Sequence, residues 1–231
     1  MIAWSVCSLP LTVLFYWLSK RINRRRPGLL FSPAVLTPAA VIGVLAVSGL
    51  PYEVYIENAS ILHEMLGVVT VAFAVPLYRN WPILAANWQI IILSLAAGSL
   101  VSIIAGVSTT MLVGLGETAA ISVIPRSVTM PIAVGLSQAI GGVPSLTAVF
   151  CMLTSYAGVF MAPVIIKRCA LNRPESIGLM YGMGAHVLGM VKAFERGDLA
   201  GSSSTLAVIA GALISVVWVF LLLPAIQMWL A

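Results

Sequence analysis

Charge is what this sequence has least of. Only 8% of its 231 residues are Asp, Glu, Lys or Arg, where a soluble domain carries about 25%. A surface that poor in charge cannot hold water, so most of the chain must face lipid or other helices. Alternation of apolar and polar residues is missing as well. The stretch LAVIAGALISVVWVFLLLP at 206–224 is continuously apolar, whereas the strands of a membrane barrel alternate. Helices are therefore expected. Cysteine is scarce: Cys7, Cys151 and Cys169 stand apart with no CxxC spacing, which argues against a disulfide framework and a metal site. Histidine is scarcer still. His63 and Glu64 open an HExxH-like string, but its fifth position is Gly67 and the chain has only 2 histidines. A zinc ligand set cannot be completed from it, and no metal or cofactor is expected.

What the chain has in quantity is apolar length. It is 61% hydrophobic, with mean hydropathy +1.07. No Asp, Glu, Lys or Arg occurs in 1–19, 27–52, 80–116, 127–166 or 199–231. A helix crosses the hydrocarbon core with about 20 apolar residues. These runs predict an all-α integral membrane protein, one polytopic domain over 1–231, with about 6–8 transmembrane helices. The net charge is +5, but the basic residues cluster in short loops. That pattern sets topology and argues against nucleic acid as a partner.

The N-terminal apolar stretch lacks a positive n-region, and its basic cluster KRINRRR follows at 20–26. It is expected to be a retained helix rather than a signal peptide, with Met1 outside and 20–26 in the cytoplasm. Further helices are expected near 33–50, 60–78, 88–112, 144–166 and 205–230. The last is entered through Ser202, Ser203 and Ser204 as candidate N-caps. Gly178, Gly182, Gly184 and Gly189 thin one surface of 176–198, which suits close helix packing in lipid. That stretch is short before Lys192, so it reads as a second hairpin or half-helix.

The segment ETAAISVIPRSVTMPIAVGLSQAIGG, 117–142, carries Pro125 and Pro131 around Arg126. Proline removes a helix donor and clashes with the preceding turn. Two short helices meeting at 125–130 within the membrane are expected, and broken backbone there needs protein or a water-filled cavity around it. The basic loop Lys167, Arg168, Arg173 favours a re-entrant hairpin that returns to its side of entry. A complete crossing by a broken helix is the alternative. Prolines and a threonine shared by helix three (Gly67, Thr70, Pro76) and 125–135 make a weak echo, compatible with an inverted repeat.

Arg126 is the most informative residue. A charge near the membrane centre costs about 2.5–3.5 kcal/mol on insertion scales, so it must be paired, hydrated or used. With Ser127, Thr129 and the free amides of the following helix it could hold a small anion. The structural alternative is a pair with Glu117 or snorkelling to an interface. His186, in GMGAHVLGM, could bind an anion beside Gly184 or carry a coupling proton; the alternative is a structural bond to a carbonyl. Glu64 could carry a proton, though a structural role at a helix start is favoured. Gln138 could line a polar path, with helix packing favoured. No GxSxG surrounds Ser127, so an enzyme is not expected.

PRSVTMPIAVGLSQAIGGVPSLTAV at 125–149 resembles the hallmark of the LrgB/CidB family, with AFAVPLYRNW at 72–81 and GMGAHVLGM at 182–190 resembling two further blocks. The likeness covers nearly the whole chain. Ala185 stands where relatives often have serine, Met190-Val191 depart from the small residues that follow there, and Leu66-Gly67-Val68 lacks a proline. The resemblance implies two functions. One is carriage of small monocarboxylates, of the pyruvate, glycolate and glycerate class, as in the plastid relative. The other is antiholin-like modulation of murein hydrolase export and lysis with an LrgA/CidA-type membrane partner. It implies the bacterial plasma (inner) membrane. Whether the chain forms a homo-oligomer stays open.

Overall fold

A computed structural model describes residues 8–26, 31–72 and 74–230, without the side chains of 63, 66–70 and 230. Every regular element among them is a helix. Contacts divide the chain into two compact units, 1–72 and 73–231.

In the first unit α1 (Ser8–Arg25) packs on α2 (Pro33–Ser48), followed by α3 (Tyr52–Asn58) and α4 (Ser60–Ala72). Pro33 opens α2, where its missing N–H costs nothing. Gly49 closes it at φ 66°, a left-handed cap that glycine takes without strain. The Thr37 hydroxyl donates to Ser19 Oγ at 3.3 Å, and Thr12 Oγ1 meets the Tyr55 hydroxyl at 2.9 Å. Glu64 lies in the second turn of α4 and is exposed, not in the first turn as expected from the sequence. Gly67 and Thr70, which carried the expected internal echo, lie outside the described side chains.

The second unit holds α5 (Ala74–Arg79), α6 (Trp81–Ala86), α7 (Trp88–Leu112), α8 (Glu117–Val123), a 3₁₀ turn (Ile124–Ser127), α9 (Met130–Ala139), α10 (Pro144–Arg168), α11 (Pro174–Phe194) and α12 (Asp198–Leu230). Among the described residues four helices are long and apolar enough to cross a membrane: α7, α10, α11 and α12; α2 is a shorter apolar helix. The protein is an all-α membrane protein.

The segment 117–142 folds as a hairpin of two short helical legs, α8 and α9, joined by the 3₁₀ turn. Its second leg returns alongside the first: Val143 N donates to Ser122 Oγ at 2.8 Å, and Thr147 Oγ1 donates to Ser122 O at 2.8 Å and to Ser137 Oγ at 2.7 Å. Its tip lies deeper along α10, where Arg126 reaches Thr154. Thr154 is about 15 Å from the start of a helix about 37 Å long, at 1.5 Å per residue.

The helix α11 also doubles back, at His186 (φ 49°, ψ −130°). In a straight helix Tyr181 and Gly189 would stand about 12 Å apart along the axis. Here a Cβ on Gly189 would overlap the Tyr181 carbonyl, and the Arg196 guanidinium sits 5.9 Å from the Tyr181 ring. The first leg runs antiparallel to α10, with Gly184 against Gly158 and Ile177 and Tyr181 clustered with Ala162. The second hairpin thus enters from the opposite end of α10.

The glycines pack as their spacing predicts. A Cβ on Gly178 would strike the Ala200 carbonyl, and one on Gly182 would come 2.5 Å from the Ser204 carbonyl. Such contact lets backbones approach in lipid. The N-cap reading of Ser202, Ser203 and Ser204 is corrected: α12 begins at Asp198 and all three are buried within it. Ser202 Oγ donates to Asp198 O at 2.7 Å and Ser203 Oγ to Leu199 O at 2.8 Å. Small side chains that bond back to the preceding turn fit the tight α11–α12 contact better than larger ones.

Candidate functional site

The two hairpin tips meet. His186 Nε2 lies 3.1 Å from the Arg126 carbonyl oxygen, so the ring nitrogen donates and carries a proton. His186 is 5% exposed. Its backbone lies at positive φ, where a non-glycine residue costs about 1–3 kcal/mol.

The Arg126 side chain points away from that contact, toward α7 and α10. Its Nη2 donates to Ser102 O at 3.2 Å and its Nη1 to Thr154 Oγ1 at 3.3 Å. Its Nε is buried without a hydrogen-bond partner among the described residues. Among the described residues no carboxylate lies within 4.0 Å of the guanidinium. Glu117, the acid considered as a partner from the sequence, is exposed at the start of α8. Ser102 Oγ and Ser127 Oγ share a short hydrogen bond beneath the arginine. A Cβ on Gly106 would come within 2.8 Å of Nε, so the guanidinium occupies the space that this glycine leaves.

Beside Arg126 lies a cavity of about 290 Å³. Thr109, Thr110 and Thr154 add hydroxyls to its wall, and Val123, Phe150 and Leu153 make it largely apolar. It runs along α7 from Gly106 to Val113 and Leu115, toward the end of the unit that carries Glu117. The opposite end gathers the charge. Arg79, Lys167, Arg168, Arg173, Lys192 and Arg196 all lie in or beside the segments that turn there.

The structure distributes the expected site residues unevenly. Arg126 lines the cavity. Ser127 is buried at the tip and bonded to Ser102. His186 touches the Arg126 backbone rather than its side chain. Thr129 caps α9 without a side-chain cap bond, and Gln138 is exposed on α9. Gly184 turns its carbonyl to Gly158. Thr129, Gln138, Gly184 and His186 are not among the cavity's lining residues. Sequence reasoning missed Ser102, Gly106, Thr109, Thr110 and Thr154. The first four recur at i, i+4, i+7 and i+8, one face of α7, and that spacing was the available signal.

A family model, described as the LrgB-like family, matches residues 12–225. The chain belongs to the LrgB-like family. It is 38% identical to the YwbG protein of Bacillus subtilis over 91% of this chain and 93% of that one. It is 28% identical to the holin-like protein CidB of Staphylococcus epidermidis, over 91% of this chain and 92% of that one. It is 27% identical to the holin-like protein CidB of Staphylococcus aureus, over 89% and 90%. No solved structure matches.

Proposed function

We propose that this LrgB-like chain is a carrier of small monocarboxylates, of the pyruvate, glycolate and glycerate class, in the bacterial plasma (inner) membrane. One observation carries the reading: a guanidinium held within the membrane segments, without a carboxylate partner among the described residues, on the wall of a cavity. An intramembrane cation of this kind marks a substrate or ion path more often than a structural pair. The carboxylate of the solute would take the planar fork that Arg presents, and the threonines would meet a hydroxyl or keto oxygen next to it. The cavity's apolar wall suits a short carbon chain. On this reading the chain carries its solute unchanged and is a carrier rather than an enzyme. His186 and Glu64 are the candidate proton-coupling groups.

A second reading rests on the names of relatives, which call CidB proteins holin-like. On that reading the chain modulates murein hydrolase activity and lysis with an LrgA/CidA-type partner. Radiolabelled pyruvate and glycolate uptake into proteoliposomes separates the two, first with this chain alone and then with an LrgA-type partner. Saturable uptake that unlabelled substrate competes supports the carrier. Leakage of unrelated dyes without saturable uptake supports the holin-like reading.

A further inference from the structure

The contact between the two hairpin tips joins one residue that pays a backbone penalty to one that carries the charge. His186 sits at φ 49° and ψ −130°, a conformation that glycine adopts with less strain. The neighbouring positions Gly182, Gly184 and Gly189 show that glycine is abundant in this stretch, yet the strained position holds histidine. Its side chain is buried, and its described partner is the Arg126 carbonyl. That carbonyl belongs to the 3₁₀ turn Ile124–Ser127, where regular helical hydrogen bonding has been interrupted. Ile124, Pro125, Ser127 and Val128 are buried around this turn, and the His186 bond adds a hold on the Arg126 backbone from the opposite hairpin. On the far side the guanidinium makes two bonds to described residues, at 3.2 and 3.3 Å, and its Nε has no partner among them.

The geometry points to His186 as a positioning residue of the anion site. From the opposite hairpin it fixes the Arg126 backbone and so aims the guanidinium into the cavity, without touching the solute itself. This rests on the anion-site reading above. Close packing at Gly158–Gly184 and Tyr181–Gly189 locates the histidine, because neither Gly158 nor Gly189 has room for a Cβ. Movement of the second hairpin would therefore be felt at Arg126, and the hydrogen bond is the link between the two halves of the site.

The test reads the electric field of the cavity and needs no substrate. In full-length protein with Cys7→Ser, Cys151→Ala and Cys169→Ser, a single reporter Thr109→Cys is placed on the cavity wall. Its reaction rates with an anionic and a cationic methanethiosulfonate are compared. A guanidinium in place favours the anionic reagent, and Arg126→Gln should lower the anionic-to-cationic ratio at least about five-fold. His186→Phe, which keeps a ring but no donor, should lower it nearly as far. His186→Gln, whose amide can reach the same carbonyl, should keep most of the ratio. If His186→Phe does not fold, His186→Asn, too short to reach, takes its place against His186→Gln. A folded His186→Phe or His186→Asn protein with the parent's ratio overturns the positioning role while the anion site stands. An Arg126→Gln protein with the parent's ratio overturns both.

Discussion

The guanidinium of Arg126 fills the space in front of Gly106, where a Cβ would come within 2.8 Å of Nε. The helix α7 passes the charged group with its backbone, which is why Ser102 O, one turn earlier, can accept from Nη2. Gly106→Ala should push the guanidinium off this seat. Hydrogen bonds to charged groups contribute about 1.5–3 kcal/mol, so the apparent affinity for a transported carboxylate should fall roughly ten-fold or more. The measurement is the KM of uptake in proteoliposomes. An unchanged KM in folded Gly106→Ala protein would mean that this seat does not matter to binding.

Arg126 itself should be more sensitive. Removing one partner of a desolvated charge pair costs on the order of 2–5 kcal/mol, which predicts that Arg126→Ala weakens binding about thirty-fold or more. Arg126→Lys keeps a charge but loses the planar fork, and should fall between the two. Equilibrium binding of labelled pyruvate and glycolate to purified protein gives the affinities directly. Parent-like affinity in folded Arg126→Ala protein would refute the site.

The first hairpin was legible in the sequence because its break is written in local chemistry. Pro125 and Pro131 interrupt a helix, and the basic loop at 167–173 favoured a return of 117–142 to its side of entry over a complete crossing. The second break was only half visible. Shortness before Lys192 suggested a hairpin, but the fold point is His186, which has no intrinsic tendency to end a helix. It is placed by glycine packing and meets the Arg126 carbonyl, 60 residues away, and no local pattern carries such contacts. Ser202, Ser203 and Ser204 misled for a related reason. Serine favours helix starts when nothing else decides, but here the glycines of α11 required small side chains inside α12. The cavity was overlooked because Ser102, Gly106, Thr109 and Thr110 are ordinary residues of an apolar helix. Only the placement of Arg126 gives their shared face a meaning.

The glycines of α11 should differ from one another in a way that composition alone would not suggest. A Cβ on Gly182 would meet the Ser204 carbonyl at 2.5 Å and the Ala207 methyl at 2.7 Å, whereas one on Gly184 would meet nothing within 4 Å. Backbone cannot move aside cheaply, and overpacking costs about 1–3 kcal/mol. Gly182→Ala should lower thermal stability in detergent, and Gly184→Ala should leave it unchanged or slightly raised, as Ala favours a helix. Equal melting temperatures for the two variants would mean that the α11–α12 contact is looser than described.

The charge asymmetry of the second unit makes a prediction about orientation. Arg79, Lys167, Arg168, Arg173, Lys192 and Arg196 gather toward one end of the helices, outnumbering Glu175, Glu195 and Asp198 there, and Glu117 stands at the other. Basic residues in short loops are retained in the cytoplasm, so the six should be inside and Glu117, with the mouth of the Arg126 cavity, outside. Both hairpins then have fixed sides of entry: 117–142 from outside, 174–196 from the cytoplasm. Cys169, exposed just after α10, is the natural reporter. In a Cys7→Ser/Cys151→Ser background it should resist an impermeant maleimide in intact cells and react after permeabilisation. With Cys169→Ser added, Glu117→Cys should show the reverse and label in intact cells. Ready labelling of Cys169 from outside would invert the unit, place the cavity mouth in the cytoplasm, and make the observed cavity an exit toward the cell interior rather than an entrance from outside.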